Sequence, residues 1–477
     1  MINKRIMILV ILLTSVSSAI SSGANQLPKT LDYKLDLKID YNNDKLYGKC
    51  EMTISNGTNQ PIEKVPILLY RLLSVKSVEN ENHNPLSFTQ NVISISGWEK
   101  LQVNYVEISL NKTLAPGEIR KINLVYDGYL LGYSDEGMRY VKDHIDRNFT
   151  IIRTDGYGYP VIGYPNEKDM MAIVNESYDF LLTITVPDGI MVVTGGELVE
   201  QKKTGDETTF VYRSKKPSWR LDIAMTDYKI LEKGKDKIYY FKTDSAGAKL
   251  MMTDFDKSLE LYTSWFGALK DYKGFTIIEV PEGYGSQADI TSILITADNF
   301  NKPGEVLTLY HEASHLWNVK NLDPQPCRFE SEGLAKFSEF LLSEKLDHKK
   351  NAISQAAQGY LDEARKDFLE KPESQNIPIK DYGVKDMTYY SYTLGMVAFA
   401  VFYDLVGQDN FNKIIGSFYS NYNSKGATLD EFINHCKKSA PVDLERFFDD
   451  WIYSTKAIKL VAEGKTFKEL IQYYKRN

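Results

Sequence analysis

The stretch Leu309-Tyr310-His311-Glu312-Ala313-Ser314-His315-Leu316-Trp317 decides how this chain is read. On a helix, residues four apart share a face, so His311 and His315 can present two imidazoles to one tetrahedral ion. Glu312 follows the first histidine directly and can reach a metal-bound water without ligating the ion. A third ligand is still required. Beyond a loop containing Pro324 and Pro326, Ser331-Glu332-Gly333-Leu334-Ala335-Lys336-Phe337 opens a second helix, and Glu332 is the best candidate. A His, His, Glu set around one Zn2+ leaves a position for water, as a catalytic rather than a structural zinc site requires. The chain has only 6 histidines, and two of them fall in this motif. His83, His144, His348 and His435 have no companion pattern and read as surface or packing residues.

Outward from the motif, 477 residues with 43% hydrophobic and 25% charged side chains have the balance of a globular protein. At roughly 100 to 200 residues per domain, two or three domains are expected. The net charge of −7, with Lys and Arg scattered, gives no electrostatic footprint for a nucleic-acid partner. Cys50, Cys327 and Cys436 lie far apart and match no CxxC pattern, which excludes a cysteine zinc knuckle and a disulfide framework.

Lys4 and Arg5 precede the apolar run Ile6 to Leu13, and small residues follow through Ala24. Residues 1–24 therefore read as a secretory signal peptide, cut after Ala19 or Ala24, which implies export to a periplasm, a cell surface or the medium. No membrane span is expected after cleavage, since Leu394 to Tyr403 is too short and reads as a core helix. Asn-x-Ser/Thr sites stand at Asn56, Asn111, Asn148 and Asn175.

From Leu31 to about Tyr240, short β-branched and aromatic runs alternate with turn signals, as in Tyr33 to Ile39 and Ile122 to Tyr126. After Lys242 the spacing becomes helical, with one strand-like block at Phe275 to Val280. The expected architecture is multidomain α+β. An N-terminal antiparallel β-saddle or sandwich (27–240) precedes a mainly helical domain (241–477), whose HEASH stretch resembles that of thermolysin-like zinc-peptidase domains.

The HEASHLW and FESEGLAKFSE stretches resemble the signature of gluzincin metallopeptidases, in particular the aminopeptidase N and leukotriene hydrolase family. Sixteen residues separate His315 from Glu332 (316–331), fewer than is usual there. Aligning the Glu-Gly pair still selects Glu332, and the resemblance implies that the Glu339 carboxylate holds a liganding imidazole in place. Tyr33 to Ile54 looks like the family's opening strands, Trp265-Phe266-Gly267 like the entry to its catalytic domain, and Phe447 to Trp451 like its closing segment. The large C-terminal helical domain of longer relatives has no counterpart. His315 to Lys320 is also similar to glycyl aminopeptidases, a sister family.

Tyr392-Thr393-Leu394-Gly395 is similar to the family's Tyr-x-Lys-Gly element, with Leu394 in place of the lysine. The resemblance implies that the Tyr392 hydroxyl stabilises the oxyanion, with Tyr390 in reserve. The family's amine-anchoring Gly-x-Met-Glu-Asn aligns with Gly283-Tyr284-Gly285-Ser286-Gln287, where Ser286 replaces the glutamate. A neutral hydroxyl cannot reproduce that charge-assisted contact, although the backbone of this stretch can pair with an extended peptide while Tyr284 touches its side chains. Asp289 or Glu282 is left to supply the charge. The function implied is an aminopeptidase-like zinc metallopeptidase acting on peptides or proteins, with Glu312 as general base. An endopeptidase or oligopeptidase with the same centre, or a non-catalytic peptide-binding surface protein, are the competing readings, and the oligomeric state is open.

Overall fold

The computed structural model describes residues 27–96, 98–132, 142–166, 177–301, 306–385 and 387–475. The proposed signal peptide and Asn175 lie outside these residues. The strand Lys29–Asp40 alternates exposed and buried positions, the mark of a sheet with one solvated face. It pairs antiparallel with Lys45–Ser55 and parallel with Asp179–Pro187, at the centre of a seven-stranded sheet. A four-stranded sheet built on Ile62–Tyr70 and Trp98–Leu114 packs against it. Leu35, Leu37, Leu68, Val103, Ile108 and Ile184 fill the core between the two.

Lys229–Lys233 and Asp236–Tyr240 belong to a five-stranded sheet with Thr276–Val280, Ser292–Thr296 and the short edge strand Gln287–Ala288. Asp236–Tyr240 runs parallel to Thr276–Val280, and Ile238 joins the helical core. The strand-rich half thus feeds more than one sheet, with Lys229–Lys233 and Asp236–Tyr240 in the sheet that also carries Thr276–Val280. Strand-like composition alone cannot say which sheet a strand joins.

The helical domain is organised around Tyr390–Val406, apolar on all sides and therefore buried on all sides. Phe399 of this helix stacks on Phe329 at 4.6 Å, and it also meets Phe337, Phe411 and Phe432. Among the described residues no single helix is long and apolar enough to cross a membrane. All three cysteines are free and buried. Asn56 is fully buried, and its amide donates to the Gln60 and Leu114 carbonyls, so this sequon offers no acceptor surface.

Two buried arginines of the β domain grip the loop that enters the edge strand. Arg153 holds Asp143 at 2.8 Å and donates to the Tyr284 carbonyl and to Gln287 Oε1, each at 3.3 Å. Arg220 binds Asp222 at 2.7 Å, Asp155 at 3.2 Å and Gln287 Oε1 at 2.6 Å. Removing one partner from such a network leaves charges buried without compensation, which costs about 3–5 kcal/mol. Arg220→Met is therefore expected to lower the thermal unfolding midpoint by several degrees; an unchanged midpoint in calorimetry would show that the network contributes little.

Candidate metal centre

The helix Leu307–Ser314 carries His311 and Glu312, and a tighter turn, His315–Trp317, continues it. Leu309, Tyr310 and Ala313 face the core, which leaves His311, Glu312 and His315 on the cleft side. Two contacts fix this helix from behind. Tyr262 donates to the Tyr310 carbonyl at 2.9 Å, and Trp317 Nε1 donates to the Gly267 carbonyl at 2.9 Å.

Opposite lies Phe329–Gly333, a single wide turn of π type that runs into the helix Leu334–Leu346. Wide turns of this kind re-aim a side chain within a helix and often occur at functional sites. Here the turn aims Glu332 at the histidines, and the stack of Phe329 on Phe399 holds it there. Close approach of the next helix depends on two glycines. A Cβ on Gly395 would stand 3.1 Å from the Gly333 Cα, and a Cβ on Gly333 would stand 3.0 Å from the Ser391 carbonyl oxygen.

The donor atoms converge. Glu332 Oε2 lies 3.3 Å from His311 Nε2 and 3.5 Å from His315 Nε2. Donor atoms from His311, Glu312 and His315 also fall within 4.8 Å of one another. On its other nitrogen, His311 Nδ1 meets Glu339 Oε2 at 3.2 Å, and Lys336 holds the second oxygen of Glu339 at 2.8 Å. The Asn318 carboxamide lies 2.7 Å from His315 Nδ1 and sets the plane of that ring. Arg328 Nη2 reaches Glu332 Oε1 at 3.3 Å.

Electrostatics agree with this geometry. Burial works to lower the His311 pKa, but hydrogen bonds to Glu332 and Glu339 and the charge of Glu312 outweigh it, and the ring is pushed up to about 10. Burial likewise works to raise Glu332, yet the charge of His315 and the hydrogen bonds to both rings hold it well below the usual carboxylate range. Both partners report a pocket whose field favours a cation. Two imidazole nitrogens and one carboxylate oxygen are also the donor set that suits Zn2+ with an open position, so these residues fit that ion. Glu312 stays outside the triad, with Oε2 3.9 Å from His315 Nε2, and burial raises its pKa against the pull of His315 and His311.

The Tyr392 ring lies parallel to His311 with centroids 6.0 Å apart. Burial and then the Glu332 charge raise its pKa, so the hydroxyl stays a donor. Tyr390 is buried among Phe368, Tyr382 and Tyr389, in the core. Gly283 and Gly285 sit at φ +82° and +74°, a turn that only glycine makes without strain. Tyr284 is 5% exposed and packs on Phe149, so its ring points inward rather than towards a peptide as the sequence reading had it. The Gln287 side chain is committed to Arg220, Arg153 and Asp155. Ser286 Oγ accepts from the Thr296 N–H at 3.4 Å. What remains for a ligand is the backbone of the Gln287–Ala288 edge strand. Asp289 accepts from the Thr291 backbone N–H and hydroxyl, bonds that hold its carboxylate in place.

Sequence reasoning passed over Arg328, Lys336 and Asn318. Arg328 and Lys336 stand four and three residues before the glutamates they hold, a helical spacing that pairs charges. Asn318 follows its histidine by three.

No family model and no curated protein matches the sequence. Solved structures do. A zinc metallopeptidase of the M1 family from Deinococcus radiodurans, solved as a mutant bound to a Tyr-Ser-Ala substrate, is 16% identical, with 90% of this chain and 94% of that chain covered and a TM-score of 0.62. A two-domain M1 zinc metallopeptidase mutant bound to L-arginine is 16% identical over 92% of this chain and 95% of that one, with a TM-score of 0.64. Native yeast LTA4 hydrolase is 14% identical over 90% of this chain and 68% of its own, with a TM-score of 0.66. The class is thus defined at the level of architecture: the chain has the fold of the M1 zinc metallopeptidases, a β-rich domain followed by a helical one. Within that class, it matches the two-domain form over nearly its whole length.

Loss of a carboxylate behind a liganding imidazole commonly costs about 10–100-fold in metal affinity. Glu339→Gln is therefore expected to weaken zinc retention by that factor in competition with a chelator. Unchanged affinity would mean that Glu339 does not support His311.

Proposed function

We propose that this protein is an exported, zinc-dependent, aminopeptidase-like metallopeptidase. The observation that carries this reading is the convergence of His311 Nε2, His315 Nε2 and Glu332 Oε2 beside a buried carboxylate, Glu312, which is left outside that set. Peptide binding is supported by the fold's solved representatives, which hold a tripeptide substrate and a free amino acid. Export rests on the amino-terminal sequence alone.

His311, His315 and Glu332 would hold one Zn2+, which supplies Lewis acidity towards water and the scissile carbonyl. Glu339 orients His311 through Nδ1, and Asn318 orients His315 in the same way. Glu312, its basicity raised by burial, takes the proton of the attacking water and delivers it to the departing amine. Tyr392 donates its hydroxyl to the oxygen that gains negative charge. The Gln287–Ala288 strand aligns an extended peptide by backbone pairing.

One feature separates this site from a strict aminopeptidase. The sheet edge carries Ser286 in place of a glutamate; Asp155 accepts from Gln287 and Asp289 from Thr291, and Glu282 is exposed on the turn before the strand. An endopeptidase or oligopeptidase is the second reading that this observation favours.

Glu312→Gln should abolish turnover while the protein keeps one zinc per chain by elemental analysis; retained activity would remove Glu312 from its role. A peptide and its N-acetylated twin separate the two specificities. Cleavage of the free peptide alone supports the aminopeptidase reading, whereas equal cleavage of both establishes that no amine anchor operates.

A further inference from the structure

Away from the metal centre, a cavity of about 430 Å³ opens where the two domains meet. Thr194, Glu197 and Tyr212 line it from the β domain, together with Lys215 on the segment that follows. Lys235, Lys237, Tyr239, Lys273 and Thr276 line it from the five-stranded sheet. Four lysines thus line one cavity in a chain whose net charge is −7.

The cations are poorly matched by the protein itself. Lys215 Nζ donates to the Gly274 carbonyl at 3.2 Å and to Thr276 Oγ1 at 3.0 Å, both neutral, which leaves one of its three N–H groups over. Lys235 Nζ donates to the Tyr272 carbonyl at 3.2 Å. Among the described residues no carboxylate pairs with Lys215, Lys235 or Lys273, while Lys237 pairs with Glu232 at 2.8 Å. Nearby acids are occupied elsewhere. Glu197 pairs with Arg213 at 2.9 Å, and Asp236 accepts from Tyr272 and from the Phe275 N–H. Burial also pulls the Lys215 pKa down to about 8, against the charges of Asp289 and Asp236. Lys215 is part-buried and no carboxylate pairs with it directly, so an anion from solution in the cavity lowers the cost of keeping its charge there.

We propose that this cavity is a binding site for a small multivalent oxyanion, carrying phosphate or carboxylate groups, that bridges the two domains. Its volume suits a ligand of metabolite size. Lysines act on such groups as point charges, and with few competing carboxylates they select for charge number rather than for shape. The wall formed by Tyr212, Tyr239 and Leu198 accommodates an apolar portion beside the anionic groups. The Tyr212 hydroxyl is turned away, donating to the Val192 carbonyl at 2.6 Å.

The test is calorimetric titration of the zinc-loaded full chain with pyrophosphate and with citrate, in chloride of matched ionic strength. Saturable binding of one ion per chain is expected, with a dissociation constant below about 1 mM. Preference for pyrophosphate identifies a phosphate ligand and preference for citrate a carboxylate ligand. Lys215→Met and the exposed Lys273→Gln should each weaken binding by about tenfold. Both variants should leave hydrolysis of a small neutral peptide at the wild-type rate. Absence of saturable binding for both anions, or wild-type affinity in Lys273→Gln and in the variant that combines it with Lys215→Met, would overturn the proposal.

Discussion

His311 has a glutamate on each of its ring nitrogens, Glu332 on Nε2 and Glu339 on Nδ1, and much of the helical domain serves to keep that arrangement in place. Bringing carboxylates and imidazoles together away from water is unfavourable unless each group finds a partner. Here each one does. Lys336 takes the second oxygen of Glu339, Arg328 takes that of Glu332, and Asn318 closes the far side of His315. A divalent cation is the charge that such a pocket is arranged to receive.

The packing explains how these groups are held. The apolar helix Tyr390–Val406 brings Phe399 against Phe329, at the start of the turn that aims Glu332. The same helix carries Tyr392 alongside His311, so one element supports a proposed ligand and supplies a proposed donor. Gly333 and Gly395 let the two backbones approach to a distance that any side chain would oppose. The glycines of the Glu-Gly and Tyr-x-x-Gly elements therefore meet each other, a contact that neither element implies alone.

Much of the centre was legible because its parts are local. A four-residue spacing on one helix places two imidazoles on one face, whatever surrounds them. Glu332 lies on a neighbouring element and was found through its Glu-Gly context. Arg328 and Lys336 escaped notice because surface-like charges at helical spacing are common. Tyr284 was misjudged for another reason. Its alignment with the amine-anchoring element implied a contact with peptide side chains, but the chain turns at Gly283 and Gly285, both at positive φ, and the ring packs with Phe149, Tyr228 and Tyr239.

The sequence by itself determined the donor types, their spacing and the change from strand-rich to helical character, because periodicity and residue chemistry do not depend on distant contacts. Only the tertiary structure decided that Lys229–Lys233 and Asp236–Tyr240 join the sheet of Thr276–Val280, that Arg153 and Arg220 grip the loop before the edge strand, and that lysines distant in the chain line one cavity. Each of these joins residues distant in the chain, and such neighbours follow from sheet registry and domain packing, which leave no periodic mark in a single sequence.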